Sequence, residues 1–185
     1  MAPPKLPPEV VSAAKRLEPA AVAQIYDVFA NPIYRYVSFR VRSPEDAEDL
    51  TDQVFLKMLE ALPGYDDRGI PFGAWLYRIA RNLVIDRHRR AARDALELSE
   101  AAEATGFGAD PFSHAAASLE REALAAALAT LTEEQRQVIV LRFIEGWEVE
   151  EVAAALARKP GAVHSLQHRA LAALQRALVR GGVVS

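Results

Sequence analysis

The residues best suited to chemistry lie in the stretch FGAWLYRIARNLVIDRHRR, residues 72–90, which combines arginine, aromatic and amide side chains. A helical projection at about 100° per residue assigns a packing side to Trp75, Leu76, Ile79 and Leu83. The opposite side carries Tyr77, Arg78, Arg81, Asn82, His88 and Arg89. Guanidinium groups bind phosphates and planar groups stack on unpaired bases, so this face suits single-stranded nucleic acid. For this stretch alone, a solvated basic helix of an ordinary helical domain is the alternative.

A second candidate site lies near the C-terminal end, where a short helix, a tight turn and a longer helix predict a helix-turn-helix motif. Residues 149–156 form the first helix of this motif, 157–161 the turn, and about 162–179 the helix expected in the major groove. Arg169 is the best base or phosphate reader, because its planar fork matches guanine edges and phosphate oxygens. Arg158 and Lys159 in the turn are expected at backbone phosphates. A plain helical hairpin with solvated arginines is the alternative.

The remaining residues of the second helix are expected to divide between a core side and an outward side. The core side comprises Val163, Leu171, Leu174 and Leu178. The outward side comprises Ser165, His168, Arg169, Ala172 and Arg176.

Other residue groups do not support a catalytic or metal site. His164 and His168 lie on one helical face, but no glutamate follows the first histidine and no third ligand is nearby. The acidic run of residues 45–52 lacks the glycine and terminal glutamate of a calcium loop. It is better explained as a helix face for a basic partner, with a solvated face as the alternative. We therefore predict a protein that is not an enzyme and needs no cofactor and no metal.

Composition limits the class of protein. The 185 residues suffice for one large or two small domains. The absence of cysteine excludes disulfides, thiolate metal sites and a cysteine nucleophile. No apolar run is long enough to span a membrane, and the start MAPPKLPPEV lacks the features of a signal peptide. We expect a soluble cytoplasmic protein with no membrane insertion.

Charge is segregated along the chain, although the formal net charge is only −3. Residues 43–52 hold five acids and no lysine or arginine, whereas residues 77–93 hold six arginines and one acid. Residues 94–116 again hold five acids without a lysine or arginine, and residues 158–180 hold five basic residues without an acid. Separate blocks predict separate basic and acidic partners.

Helical spacing of apolar residues predicts an all-α fold with two small domains, an N-terminal bundle and a C-terminal four-helix helix-turn-helix domain, joined by an acidic flexible linker. Ser43 before Pro44, and the capping-box run from Thr132 to Gln135, mark helix starts. The expected segments are a tail with a short helix over 1–18, the first domain over 19–93, the linker over 94–116, the second domain over 117–180 and a tail over 181–185.

Three stretches resemble the extracytoplasmic-function class of bacterial sigma factors, in the order the family has them. They are DAEDLTDQVFLKM (46–58), FGAWLYRIARNLVIDRHRR (72–90), and LTEEQRQVIVLRFIEGWEVEEVAAAL followed by GAVHSLQHRAL (within 131–171). The resemblance implies an N-terminal domain that docks on core RNA polymerase and opens the minus-ten promoter element. It also implies a C-terminal domain that reads the minus-thirty-five element as duplex, an acidic linker in the polymerase cleft, and control by an anti-sigma factor.

Residue roles follow from the resemblance by position. The polymerase contacts are expected at Asp46, Asp49, Asp52 and Gln53. The loop of residues 64–71 falls where the family captures a flipped base, and the expected minus-ten contacts are Trp75, Tyr77, Arg78, Arg81, Asn82 and Arg89. Arg78 and Ile79 replace the tryptophan pair of housekeeping sigma factors, which implies weaker melting. The expected minus-thirty-five contacts are Arg158, Lys159, His164, Ser165, His168, Arg169 and Arg176.

Two other functions remain open at this point. An autonomous helix-turn-helix regulator binds duplex DNA alone, usually as a dimer, but leaves the acidic block and the arginine-rich helix unexplained. The second open function is a pure protein-interaction module, such as a sigma mimic, which never engages a promoter productively.

Overall fold

The computed structural model describes residues 4–41, 43–66, 70–98, 124 and 126–180, without the side chains of 95–98 and 180. Within these ranges every regular element is helical, which confirms the predicted all-α fold. The α-helices are α1 Pro8–Lys15, α2 Pro19–Ser38, α3 Pro44–Ala61, α4 Phe72–Leu98, α5 Glu133–Ile139, α6 Val149–Leu156 and α7 Pro160–Arg180. A 3₁₀ turn, Leu62–Gly64, follows α3, a π-helical turn, Val140–Ile144, continues α5, and residues 126–129 are also helical.

Local sequence signals determine where several helices begin and end. The Ser43 Oγ accepts a hydrogen bond of 3.1 Å from the Asp46 N–H, and Pro44 is the first residue of α3. At the start of α5, the Gln135 N–H donates to the Thr132 Oγ at 3.4 Å, and the Thr132 N–H donates to the Gln135 Oε1 at 3.0 Å. This reciprocal pair confirms the predicted capping box. Gly146, with a φ of 71°, lies in the break before α6.

The N-terminal domain is a bundle in which α3 packs against α2 and α4. Its largest fully buried side chains include Phe29, Tyr36, Met58 and Leu76. The short helix expected within residues 1–18 is α1, which packs against α2 and the 3₁₀ turn. Val11 and Ala14 are spaced three residues apart and therefore share one buried face of α1.

The C-terminal domain consists of residues 126–129 and helices α5 to α7. Val163 and Leu174 are buried as predicted, but Leu171 is 43% exposed. The buried stripe instead continues through Leu166 and Ala170. These positions follow steps of three and four residues from Val163, and Leu171 lies one residue, about 100°, off that line.

The two domains share an apolar core. One cluster of buried residues includes Leu76 and Tyr77 of α4 together with Val140, Trp147 and Val152 of the C-terminal domain. Phe39, which follows α2, packs against this cluster and against a second one in the C-terminal domain. Helix α4 therefore has a packing partner on two sides, α3 within its own domain and α6 in the other.

The predicted segment boundaries fall partly beyond the described residues. Helix α4 continues to Leu98, so residues 94–98 of the expected linker are helical. The rest of that linker, residues 67–69 of the expected base-capture loop and the tail of 181–185 lie outside the described residues. None of the described helices has an apolar stretch of the length needed to cross a bilayer.

Ala157 provides a stability test because it ends α6 in the left-handed conformation, with φ 54° and ψ 44°. A side chain is disfavoured there, so Ala157→Gly should raise the free energy of unfolding by about 1 kcal/mol. The matched control is Ala91→Gly at an exposed position within α4, which should lower it by about 1 kcal/mol. Urea denaturation followed by circular dichroism measures both, and equal destabilisation by the two variants would contradict the assigned backbone strain.

Candidate nucleic-acid interface

The exposed part of α4 retains only some of the residues predicted to touch single-stranded DNA. Asn82 and Arg89 are exposed on the helix surface. Trp75 is half-buried in an aromatic cluster, with its ring centroid 4.8 Å from that of Tyr65 and 5.5 Å from that of Phe72. This cluster connects the start of α4 to the chain that follows α3.

Tyr77 does not lie on a solvated face, contrary to the helical projection. It is 1% exposed, with ring centroids 5.0 Å from Tyr36 and 4.6 Å from Trp147. Its hydroxyl donates to the Glu145 Oε2 at 3.3 Å, and burial raises the pKa of Tyr77 well above its usual value. The projection was wrong because it allowed for one packing partner, whereas the C-terminal domain covers the second side of α4.

Arg78 and Arg81, also predicted to touch DNA, are hydrogen-bonded to the C-terminal domain. Both Nε and Nη2 of Arg78 donate to the Ala154 carbonyl oxygen, at 2.9 and 2.5 Å. The Arg81 Nε donates to the Gln137 Oε1 at 3.2 Å. Desolvation lowers the pKa of Arg78. In this arrangement both guanidinium groups donate to acceptors of the C-terminal domain.

A bidentate ion pair joins Arg35 of α2 to Glu145, which follows the π-helical turn. The Arg35 Nε donates to the Glu145 Oε1 at 2.7 Å and the Nη2 donates to the Oε2 at 2.9 Å. The side chains are 34% and 2% exposed respectively. The hydrogen bond to Glu145 raises the pKa of Arg35, as expected for a guanidinium paired with a carboxylate.

A second ion pair joins Arg40 to Glu133 at the start of α5. The Arg40 guanidinium is 0% exposed and donates to the Glu133 Oε1 and to the Tyr36 hydroxyl. Burial lowers the pKa of Arg40 to about 10, so the group remains a cation at neutral pH. The His88 Nε2 lies 2.7 Å from the Arg40 carbonyl oxygen and connects α4 to the same point.

These contacts define one continuous surface of the N-terminal domain, here called the arginine face. It comprises Arg35, Tyr36, Arg40, Tyr77, Arg78 and Arg81, all bonded to or packed against the C-terminal domain or one another. Sequence reasoning missed Arg35 and Arg40, because their partners are about a hundred residues away and no local spacing connects them. The only available signal was that Arg35 and Arg40 lie near Tyr36 in the chain.

The acidic face of α3 is open to solvent. Asp49, Asp52 and Gln53 are exposed, as their predicted contact with a basic partner requires. Asp46 is half-buried and forms an ion pair with Arg87 of α4, so its charge is partly compensated within the chain. Leu56, 59% exposed, adds an apolar side chain to this helix.

The outward face of α7 carries the predicted duplex-binding residues. Each of them is exposed: Arg158, Lys159, His164, Ser165, His168, Arg169 and Arg176. A shallow open depression on α7 is lined by His164, Ser165, His168 and Arg169, among others. The Arg169 Nε donates to the Ser165 carbonyl oxygen at 3.3 Å, whereas Arg158 forms an ion pair with Glu134.

Comparison with known proteins finds a matching family region in each half of the chain. The profile of Sigma-70 region 2 matches residues 25–94, and that of Sigma-70, region 4 matches residues 121–174. The ECF RNA polymerase sigma factor BldN of Streptomyces coelicolor is 37% identical over 92% of this chain, which spans 65% of that protein. The ECF RNA polymerase sigma factor SigD of Mycobacterium tuberculosis is 35% identical over 94% of this chain and 84% of its own length.

A solved structure shares this fold over nearly the whole chain. The structure of CnrH in complex with the cytosolic domain of CnrY superposes with a TM-score of 0.72 at 27% identity, covering 93% of this chain and 96% of that one. Two region profiles in the family's order, relatives that match over nearly the whole chain and this shared fold establish that the protein belongs to the ECF RNA polymerase sigma factors of the sigma-70 family.

Proposed function

We propose that this chain directs promoter-specific transcription initiation by presenting three binding surfaces on three separate helices. Helix α3 docks on core RNA polymerase, α4 binds the opened minus-ten element, and α7 reads the minus-thirty-five element. The observation that carries this proposal is that α3 and α7 expose opposite charges: α3 exposes carboxylates, and the outward face of α7 carries basic residues without an acid. A protein that binds DNA alone has no use for the first of these surfaces.

Polymerase docking is assigned to Asp49, Asp52 and Gln53, with Asp46 contributing less because Arg87 already pairs with it. Exposed carboxylates on one helix face suit a basic coiled coil, where charge complementarity speeds encounter and fixes the register. Leu56 would add apolar contact at the same surface.

Promoter contacts are divided between the domains. Asn82 and Arg89 are positioned for unpaired bases and phosphates, with Trp75 at the start of the same helix. Arg169 is assigned to a base edge or phosphate in the major groove, and Arg158 and Lys159 to the DNA backbone. The remaining assigned duplex contacts are His164, Ser165, His168 and Arg176.

We further propose that the chain acts in the cytoplasm without a catalytic role of its own, and that an anti-sigma factor holds it inactive. CnrH superposes on this chain while in complex with the cytosolic domain of CnrY, which supports a partner of this kind. Affinity purification of the chain from resting cells should recover such a partner together with polymerase. Recovery of polymerase alone under both resting and stressed growth would argue against it.

Transcription with purified components tests the proposed function directly. Adding the chain to core RNA polymerase should produce transcripts from specific promoters. An autonomous regulator or an interaction module would give none, since neither provides both polymerase docking and promoter opening.

The docking assignment predicts that Asp49→Arg prevents association with core polymerase. Reversing an exposed charge replaces attraction by repulsion, worth about 2 kcal/mol or more at a complementary surface. Glu9→Arg, an exposed reversal on α1, is the matched control and should bind normally. Circular dichroism should show unchanged helical content for both, and normal co-purification of Asp49→Arg with polymerase would contradict the assignment.

The division of promoter contacts predicts different defects for Arg169→Ala and Asn82→Ala. Arg169→Ala removes a groove-reading fork and should cost on the order of 1–3 kcal/mol at promoters that depend on their minus-thirty-five element. Asn82→Ala should preserve closed-complex binding but reduce strand opening, measured by permanganate reactivity of unpaired thymines. A loss of closed-complex binding by Asn82→Ala as large as that of Arg169→Ala would show that the two helices do not have separate roles.

A further inference from the structure

We propose that the arginine face is itself a binding surface for the single-stranded DNA of the opened promoter. Arg35 and Arg40 are then nucleic-acid contacts in addition to those on α4. In the free chain the C-terminal domain occupies this surface with carboxylates and carbonyl oxygens in place of phosphates. This inference rests on the proposed function. It adds a binding site for single-stranded DNA and a coupling between DNA binding and separation of the domains.

The chemistry of the contacts supports this reading. Four guanidinium groups lie on the arginine face, and each is bonded to an oxygen acceptor of the C-terminal domain: a carboxylate for Arg35 and Arg40, a carbonyl for Arg78 and an amide oxygen for Arg81. Phosphate oxygens present the same kind of acceptor, and the Arg35 pair has the bidentate geometry that guanidinium also adopts on phosphate.

The arginine face also contains planar groups next to its cations. Tyr36 and Tyr77 are in ring contact, and Tyr36 is the hydroxyl partner of Arg40. Cations that follow a backbone together with aromatic rings that stack on bases are the combination found in single-strand binding grooves. Arg78 and the exposed Asn82 lie four residues apart in α4 and therefore share a face, so the covered surface continues into the exposed one.

The electrostatics of the two ion pairs allows DNA phosphates to take the place of the C-terminal carboxylates. Arg40 and Glu145 are almost completely buried, and the attraction within each ion pair is opposed by the cost of removing both charges from water. When the domains separate, Arg35 and Arg40 lose their carboxylates, and a guanidinium in water remains a cation at neutral pH. The uncovered surface is then strongly positive and can bind phosphates instead.

The two arrangements are mutually exclusive, because one guanidinium cannot pair with Glu145 and with a phosphate in the same geometry. Binding of single-stranded DNA therefore favours the open arrangement, and opening raises affinity for the strand by the same factor. Core polymerase, by separating the domains, would make the surface available in the complex that opens the promoter.

The two halves of the Arg35–Glu145 ion pair allow a decisive test. Glu145→Gln and Arg35→Gln remove the same ion pair, so both should weaken the closed arrangement, which small-angle X-ray scattering detects as a larger radius of gyration. If the pair only joined the domains, both variants would behave alike in every assay. We expect them to differ, because only Arg35→Gln also removes a contact to the nucleic acid.

The readout is binding of a short fluorescein-labelled DNA single strand to the full chain by fluorescence anisotropy. Glu145→Gln should bind more tightly than the unmodified chain, on the order of tenfold, and Arg35→Gln should show no gain. Glu133→Gln removes the second carboxylate and should also bind the single strand more tightly. It serves as a second test in case Glu145→Gln has a folding defect of its own. Arg16→Gln, which removes an exposed ion pair with Glu18 between α1 and α2, is the control and should change neither size nor binding.

Three results would overturn the inference. The first is an equal gain in single-strand binding for Glu145→Gln and Arg35→Gln. The second is separation of the domains in Glu145→Gln and Glu133→Gln without tighter single-strand binding. The third is that the domains separate in neither glutamate variant.

Transcription with core polymerase separates this inference from the proposed function. Arg35→Gln should reduce strand opening while Glu145→Gln should not, because the domains are already apart in that complex. If the unmodified chain gives transcripts but the binding pattern is absent, only the inference fails. If the binding pattern is present but no variant gives transcripts, the proposed function fails.

Discussion

The arrangement of this sigma factor depends on the pairing of Arg35 and Arg40 in the N-terminal domain with Glu145 and Glu133 in the C-terminal domain. A buried charge is tolerated only next to a partner that compensates it, so these pairs require the two domains to meet in one orientation. The burial of Tyr77 and the hydrogen bonds of Arg78 and Arg81 follow from that orientation. Closure therefore involves the same residues that we propose to bind the opened promoter.

The interface combines apolar anchoring with charge in a way that suits separation. Trp147 packs on Tyr77, and Phe39 contacts the cores of both domains. Around these anchors, ion pairs and hydrogen bonds to charged groups provide much of the contact, as in interfaces between domains that move relative to each other. An obligate interface would instead be expected to be predominantly apolar. In our proposal, DNA phosphates replace the acceptors of these polar groups when the domains separate.

Local patterns predicted the fold well and the interface poorly. The cap at Ser43, the capping box at Thr132, the break at Gly146 and the exposed side chains around Arg169 all follow from spacing within a few residues. Tyr77 was placed wrongly because a helical projection contains no information about a second domain. Arg35 and Glu145 are separated by most of the chain, so their pairing emerges only once both domains are folded.

The distance between the domains, measured in the free chain and on core polymerase, tests the central claim most directly. The chain has no cysteine, so Glu9→Cys and Gln175→Cys introduce two unique labelling sites at exposed positions, one on each domain. Energy transfer between dyes at these sites should be high in the free chain and fall when core RNA polymerase is added. Equal transfer in both states would contradict an arrangement in which the C-terminal domain covers the arginine face until polymerase binds.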